Sequence, residues 1–176
     1  MQTIEIDWDK YPILQKKEPQ FLAEVAVFAA QICQLSEAQK QKLALFKAAE
    51  LLNALVQIRE REFAPDRLGP ERAAVSFKIV RADIRNRRVV LPNGDTVSLQ
   101  EPELQSIIDE GCRLFHAGKT DPEQWERAMA LSTAQYITLN TYLEEELDLY
   151  ANQFQGLFPD TLVQAVKEKF IEPYLV

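Results

Sequence analysis

The sequence has few of the residues that usually carry metal, disulfide or covalent chemistry. Its 176 residues include one histidine, His116, and two cysteines, Cys33 and Cys112. Two cysteines are too few for the disulfide framework of a small secreted domain. A single histidine does not supply the paired Glu-x-x-His motifs of carboxylate-bridged di-iron bundles. We therefore predict no metal and no cofactor.

Long apolar runs are also missing. The longest nearly uncharged apolar stretch, residues 25–35, is too short to span a bilayer and contains Gln31 and Gln34. Residues 1–11 carry alternating acids and lack the apolar segment of a signal peptide. We therefore expect a cytoplasmic protein that makes no membrane contact.

Recognisable catalytic motifs are absent as well. The chain has no glycine-rich loop of the P-loop or dinucleotide-binding type and no zinc or EF-hand spacing. A serine triad would have to use His116, and no Gly-x-Ser-x-Gly elbow occurs. These absences favour a protein that is not an enzyme. An active site built from carboxylates alone has no sequence motif, so the absence of motifs does not exclude it.

What is present is the composition of one folded domain, residues 1–176. Hydrophobic residues make up 47% and charged residues 27%, which is typical of globular proteins. The length is sufficient for a single hydrophobic core. The apolar periodicity predicts a mainly α fold, a single-domain bundle of about six helices with a small β-hairpin.

The first part of the chain is predicted to be a strand followed by two core helices. Residues 1–20 form an N-terminal strand and loop, since apolar and polar residues alternate over 3–8. Residues 21–63 form two helices, the first apolar almost all round. Ser36 and Gln39 have the spacing of a capping box that begins the second.

Residues 70–99 are predicted to form an arginine-rich helix and a hairpin. The helix is assigned to 71–86, although apolar residues alternate within it and a strand is therefore the alternative interpretation. Asn93-Gly94 lies between two β-prone runs, which is the strongest local signal for a hairpin. A lone hairpin is marginal, so residues 3–8 are a candidate third strand.

Residues 102–172 are predicted to form the C-terminal helices. One begins at Pro102 and ends at Gly118, which we assign as a left-handed residue that ends the helix. The longest follows Pro122 and reaches about Phe154. A last helix follows Pro159.

Charge is distributed unevenly. The formal net charge is −7, yet eight of the ten arginines lie within residues 59–88. Residues 89–176 hold fifteen acids against five bases. The candidate binding residues are the basic side chains Lys78, Arg81, Arg85, Arg87 and Arg88. Such arginines bind phosphates or carboxylates in bidentate geometry, but pairing with the acidic half of the chain is the favoured alternative.

Two further clusters have plain structural explanations. Cys112 and His116 share one face of a helix and provide half of a metal site at most. Glu144 to Glu146 suggest a solvated acidic face. Glu146 falls near the apolar side of that helix. An arginine of the basic cluster is one expected neighbour for its carboxylate. The alternative is a tyrosine in an active site.

The function we favour is a non-enzymatic helical interaction module, such as an adaptor, assembly factor or regulatory subunit. Its partner would be another protein or a second copy, and the candidate patch consists of Phe154, Leu157, Phe158 and Tyr174. Nucleic-acid or phosphate binding through residues 78–88 is the second hypothesis. An enzyme using Glu146 with Tyr142 or Tyr150 is the third.

Overall fold

The computed structural model describes residues 3–62, 81–91, 94–153, 164 and 166–168, and the side chains of these except at 52–62, 81 and 149–153. Within these residues the fold is mainly α, with four α-helices and a three-stranded antiparallel sheet. The α-helices are α1 (Pro19–Cys33), α2 (Glu37–Glu62), α3 (Pro102–Gly118) and α4 (Pro122–Gln153). The strands are β1 (Arg81–Asp83), β2 (Arg88–Val90) and β3 (Thr96–Ser98).

Helix α4 organises the molecule, because α1, α2 and α3 all pack against it. Its inward face includes Leu139, Leu143 and Leu147, which are completely buried. Val25 and Ile32 of α1 are equally inaccessible. Burying one such side chain contributes roughly 1.5–3 kcal/mol, so this apolar seam holds α1 to α4.

The helix starts are encoded locally. Pro19 and Pro102 occupy the first positions of α1 and α3, where the missing N–H costs no hydrogen bond. The predicted capping box is confirmed at α2. The N–H of Gln39 donates to Ser36 Oγ over 3.2 Å, and the N–H of Ser36 donates to Gln39 Oε1 over 3.0 Å.

The hairpin is confirmed, but its third strand is not the one we expected. Strands β2 and β3 pair with Val90 opposite Thr96, and Gly94 between them has a φ of 91°. The third strand is β1, which pairs with β2. Residues 3–7 form no strand, and Trp8–Lys10 is a 3-10 helix. The alternating side chains there still pack on the core, but their backbone joins no ladder.

The predicted helix 71–86 is wrong over its last six residues. Residues 81–83 are strand β1 and residues 84–87 are a turn, while 71–80 lie outside the described residues. Asp83 stabilises the turn, since its carboxylate accepts hydrogen bonds from the backbone and the side chain of Asn86. Pairing with β2 then satisfies backbone groups that a helix would have bonded internally.

The predictions for the C-terminal helices are only partly met. Gly118 is the last residue of α3 and is not left-handed, so that prediction was wrong. The predicted last helix falls mostly outside the described residues, of which Gln164 and Val166 are helical. Among the helices of the described ranges, none combines the length and apolarity needed to cross a membrane.

Candidate functional site

The predicted basic cluster does not lie on one helical face. Lys78 is outside the described residues, and Arg81 begins β1 with its side chain undescribed. Arg85 is exposed in the turn between β1 and β2. Arg87 and Arg88 follow it, and each is engaged in an internal ion pair.

Arg87 connects the sheet to α3. It has a φ of 51°, in the left-handed region, and its guanidinium donates to the carbonyl of Ile84 and the carboxylate of Asp109. Arg88 Nε donates to Asp83 Oδ2 over 2.9 Å. Hydrogen bonds from Asn86 and Arg88 hold the pKa of Asp83 below its ordinary value. Thus one arginine pairs with the acidic half of the chain and the other pairs locally.

The predicted apolar patch remains a prediction. Phe154, Leu157, Phe158 and Tyr174 all lie outside the described residues. An exposed aromatic pair occurs elsewhere, where α3 turns into α4. Phe115 and Trp125 are 51% and 43% accessible, with ring centroids 6.1 Å apart. Trp125 lies in the first turn of α4, and its ring lies against Phe115 at the surface.

The thiols and the histidine form no centre. Cys33 is exposed at the end of α1, whereas Cys112 is half-buried in α3. Burial, followed by the nearby charge of Glu50, raises the pKa of the Cys112 thiol, which opposes formation of a nucleophilic thiolate. No group of three or more potential metal ligands occurs within the described ranges.

The predicted pairing of Glu146 with Tyr142 is not observed. The Tyr142 hydroxyl donates to Glu37 of α2 instead, and the Tyr150 side chain is outside the description. Burial and the charge of Glu145 raise the pKa of Glu146. Within the described part of the chain, Glu146 has no ion pair with the basic cluster.

A groove that the sequence did not reveal runs between α1 and α3, with α4 beneath it. Its volume is about 830 Å³. We call it the α1–α3 groove. Its apolar lining consists of Ala23, Val27, Phe28, Ile107 and Leu131. Helix α1 is distant in sequence from α3 and α4, so no local motif could have indicated the groove.

The rim of the α1–α3 groove is polar and largely paired. Arg113 donates to both carboxylate oxygens of Glu110, over 2.9 and 2.6 Å. These bonds hold the pKa of Glu110 below its ordinary value. Asp109, the acid before it, is the partner of Arg87. The three charged side chains that α3 contributes to the rim are therefore already paired.

Glu24 of α1 and Arg127 of α4 are different. Glu24 Oε2 lies 4.0 Å from Arg127 Nε, beyond hydrogen-bond distance. Arg127 Nε is inaccessible to solvent and has no hydrogen-bond partner. Both residues, together with Gln20, also line a second hollow of about 500 Å³. The two therefore lie where the groove and the hollow meet.

Compared with protein-family models, curated proteins and solved structures, the chain matches none of them. Its function is therefore inferred from the geometry of the site. Of the sites described above, the α1–α3 groove alone combines an apolar floor with a charged rim.

Proposed function

We propose that this protein is a non-enzymatic helical interaction module that binds a segment of a partner protein in the α1–α3 groove. The observation that carries the proposal is the layout of the groove. Buried Phe28, Ile107 and Leu131 lie at its floor, and charged side chains surround them. An apolar centre with a polar rim is the usual anatomy of a protein interface.

The charged rim of the groove favours a protein segment over a small molecule. Small-molecule pockets are lined predominantly by apolar and aromatic side chains, with few polar groups. Eight of the thirteen residues that line this groove are polar or charged. An adaptor, assembly factor or regulatory subunit would use such a surface.

The walls of the groove are already ordered, which lowers the entropic cost of binding. Both α1 and α3 are docked on α4 through the core. The Arg113–Glu110 pair adds a bidentate contact on the rim. A partner segment therefore meets a preformed surface and has only its own chain to order.

The test fills the groove without disturbing the core. Ala23 lines the groove and is exposed, so Ala23→Trp obstructs it while the fold persists. Ala38 is an exposed alanine in the first turn of α2, away from the groove, and Ala38→Trp is the matched control. We expect peptides selected from a random phage-displayed library on the wild-type protein to bind Ala38→Trp normally and Ala23→Trp at least about tenfold more weakly.

A second copy of the chain is the other partner to be tested. If the groove receives a second copy, sedimentation velocity will show that the wild type and Ala38→Trp associate while Ala23→Trp is monomeric. The proposal is wrong if the library yields no binder and the wild type is monomeric. It is equally wrong if Ala23→Trp binds the selected peptides, or associates, as the wild type does.

A further inference from the structure

The α1–α3 groove suits a partner segment of one conformation and one sign of charge. We propose that the partner binds there as an amphipathic α-helix of about three turns with basic residues at one end, an inference that rests on the proposed function. The apolar face of the partner helix contacts Val27, Ile107 and Leu131 of the groove. Its basic residues lie over the second hollow, where α1 and α4 begin.

The walls of the groove offer no backbone partners to an extended segment. The lining residues that the structure describes all belong to α1, α3 or α4. The backbone N–H and C=O groups within a helix are already bonded along its own axis. An extended partner would therefore bury backbone groups over the apolar floor without hydrogen bonds, which is unfavourable. A helix bonds its own backbone internally and presents side chains to the groove.

Both walls present side chains at helical spacing. On α1 the lining residues recur mostly every three or four positions and form a row along one face: Gln20, Ala23, Glu24, Val27 and Gln31. On α3 the corresponding row is Ser106, Asp109, Glu110 and Arg113. Rows of this kind are the ridges between which the side chains of another helix pack. Each row includes one small residue, which allows the backbone of the partner helix to approach the wall closely.

The row on α1 sets the length of the partner helix. It runs from Gln20 to Gln31, which corresponds to about 16 Å along the helix axis. A partner helix of about eleven residues spans the same distance. Isolated helices of that length are marginal in water. The partner segment is therefore largely unfolded when free and gains helix when it binds.

Charge complementarity favours basic residues at the end of the partner that lies over the second hollow. Each charged residue of the groove itself lies within 4.0 Å of an opposite charge of the chain. The hollow differs, because Glu18, Glu123 and Glu126 line it and form no ion pair with any part of the chain that the structure describes. Of the two lysines that also line it, Lys17 places its ammonium 5.7 Å from the centre of the Phe21 ring. Because the whole chain carries a formal charge of −7, a basic residue is attracted to these acids.

The conformation is tested with the tightest peptide selected from the phage-displayed library on the wild-type protein. Circular dichroism should show little helix in the free peptide and a gain of helix in the complex. Alanine scanning of the peptide identifies the face that points away from the protein. A side-chain cross-link between positions i and i+4 on that face should tighten binding severalfold, because the helix is then ordered in advance. A proline at an internal position of that face should weaken binding at least about a hundredfold.

The charge is tested on the protein with two matched double variants. Glu123→Gln combined with Glu126→Gln should weaken binding of the peptide about threefold to tenfold, the scale of one or two exposed ion pairs. Glu144→Gln combined with Glu145→Gln removes the same charge from an exposed part of α4 outside the groove and the hollow. This control should leave binding within about twofold of the wild type.

The inference and the proposed function fail in different ways. If Ala23→Trp abolishes peptide binding but the bound peptide gains no helix, or the cross-link abolishes binding, the helix assignment is wrong and the groove stands. The inference is also wrong if the two double variants bind the peptide equally well, or if the groove binds a second copy and selects no peptide. If Ala23→Trp binds the peptide as the wild type does, the proposed function itself fails.

Discussion

A Cβ atom placed on Gly118 would lie 2.9 Å from the Cα atom of Trp125 and 3.1 Å from its backbone nitrogen. Side chains do not approach a backbone that closely without a shift of one of them. The end of α3 and the first turn of α4 therefore meet at a point where only glycine fits. This contact, and not a left-handed conformation, accounts for the glycine.

Gly118→Ala is expected to destabilise the protein by about 1–3 kcal/mol, the usual cost of overpacking. In an exposed helix the same change would be favourable by about 1 kcal/mol, so the sign of the effect reports the close contact. Urea unfolding followed by circular dichroism measures it.

Gly111→Ala is the matched control in the same helix. Its added Cβ would lie 3.4 Å from Leu131 Cδ2, the flexible end of a side chain. We expect this variant to be neutral or more stable, by up to about 1 kcal/mol. Equal effects of the two glycine variants would contradict the explanation given for Gly118.

The features that the sequence predicted correctly are those with local causes. The capping box at Ser36 and the hairpin around Gly94 depend on residues within four positions of each other, and both are confirmed. The start of α3 follows in the same way from Pro102.

The features that were missed depend on tertiary contacts. Strand β1 forms because β2 provides a partner for it, which outweighs the helical interpretation of the same residues. Pairing of the arginines with the acidic half of the chain was expected, but the particular partner of Arg87, Asp109, lies 22 positions away and depends on the fold. The α1–α3 groove depends on how three helices pack, and no residue spacing records that.

The half-buried position of Glu50 leads to a pH-dependent prediction. Burial raises the pKa of its carboxyl, and Lys47, whose Nζ lies 3.9 Å away, only partly opposes this. The ionised carboxylate therefore opposes folding at neutral pH. Glu50→Gln should raise the free energy of unfolding at pH 7 by less than about 1 kcal/mol, because the attraction of Lys47 is lost as well.

The sign of the pH dependence follows from the raised pKa. As the pH falls through the pKa of folded Glu50, the wild type takes up the proton and its penalty disappears. The advantage of Glu50→Gln should therefore shrink toward acid pH and vanish below about pH 4, where unfolded glutamate is also protonated. Urea midpoints measured from pH 4 to 8 test this, and a constant advantage would refute it.

Replacement of Asp83 should also change stability in a way that depends on pH. Here the variant is expected to be less stable than the wild type at pH 7, and the difference between them again shrinks in acid. Its pKa is lowered by hydrogen bonds from Asn86 and Arg88, so its ionised form favours folding at neutral pH. That contribution is lost as the pH falls through the lowered pKa. Asp83→Asn should therefore lower the urea midpoint at pH 7 and have a smaller effect in acid. In the Asp83→Asn background, Arg88→Met should cause little further loss, since the ion pair between the two residues is already lost. A full additional loss would mean that Arg88 acts elsewhere.

Substituting two arginines of the same turn, Arg85 and Arg87, tests whether the basic cluster serves internal ion pairs or docking of a partner. Arg87 pairs with Asp109, whereas Arg85 is exposed. We expect Arg87→Ala to cost about 0.5–1 kcal/mol, while Arg85→Ala stays within about 0.5 kcal/mol of the wild type. Arg87→Gly should recover part of the loss, because glycine accepts the φ of 51° without strain.

The internal ion pairs of Arg87 and Arg88 argue against nucleic-acid binding by this cluster. If Arg87 and Arg88 serve internal pairs, a DNA or RNA oligonucleotide should bind weakly even at low salt. Phosphate contacts would instead give an affinity that falls steeply as salt rises. Fluorescence anisotropy at increasing salt measures this for the wild type and for a variant with alanine at Arg81, Arg85 and Arg88. Tight, salt-sensitive binding that this variant loses, with the fold intact, would return the cluster to consideration as a docking surface.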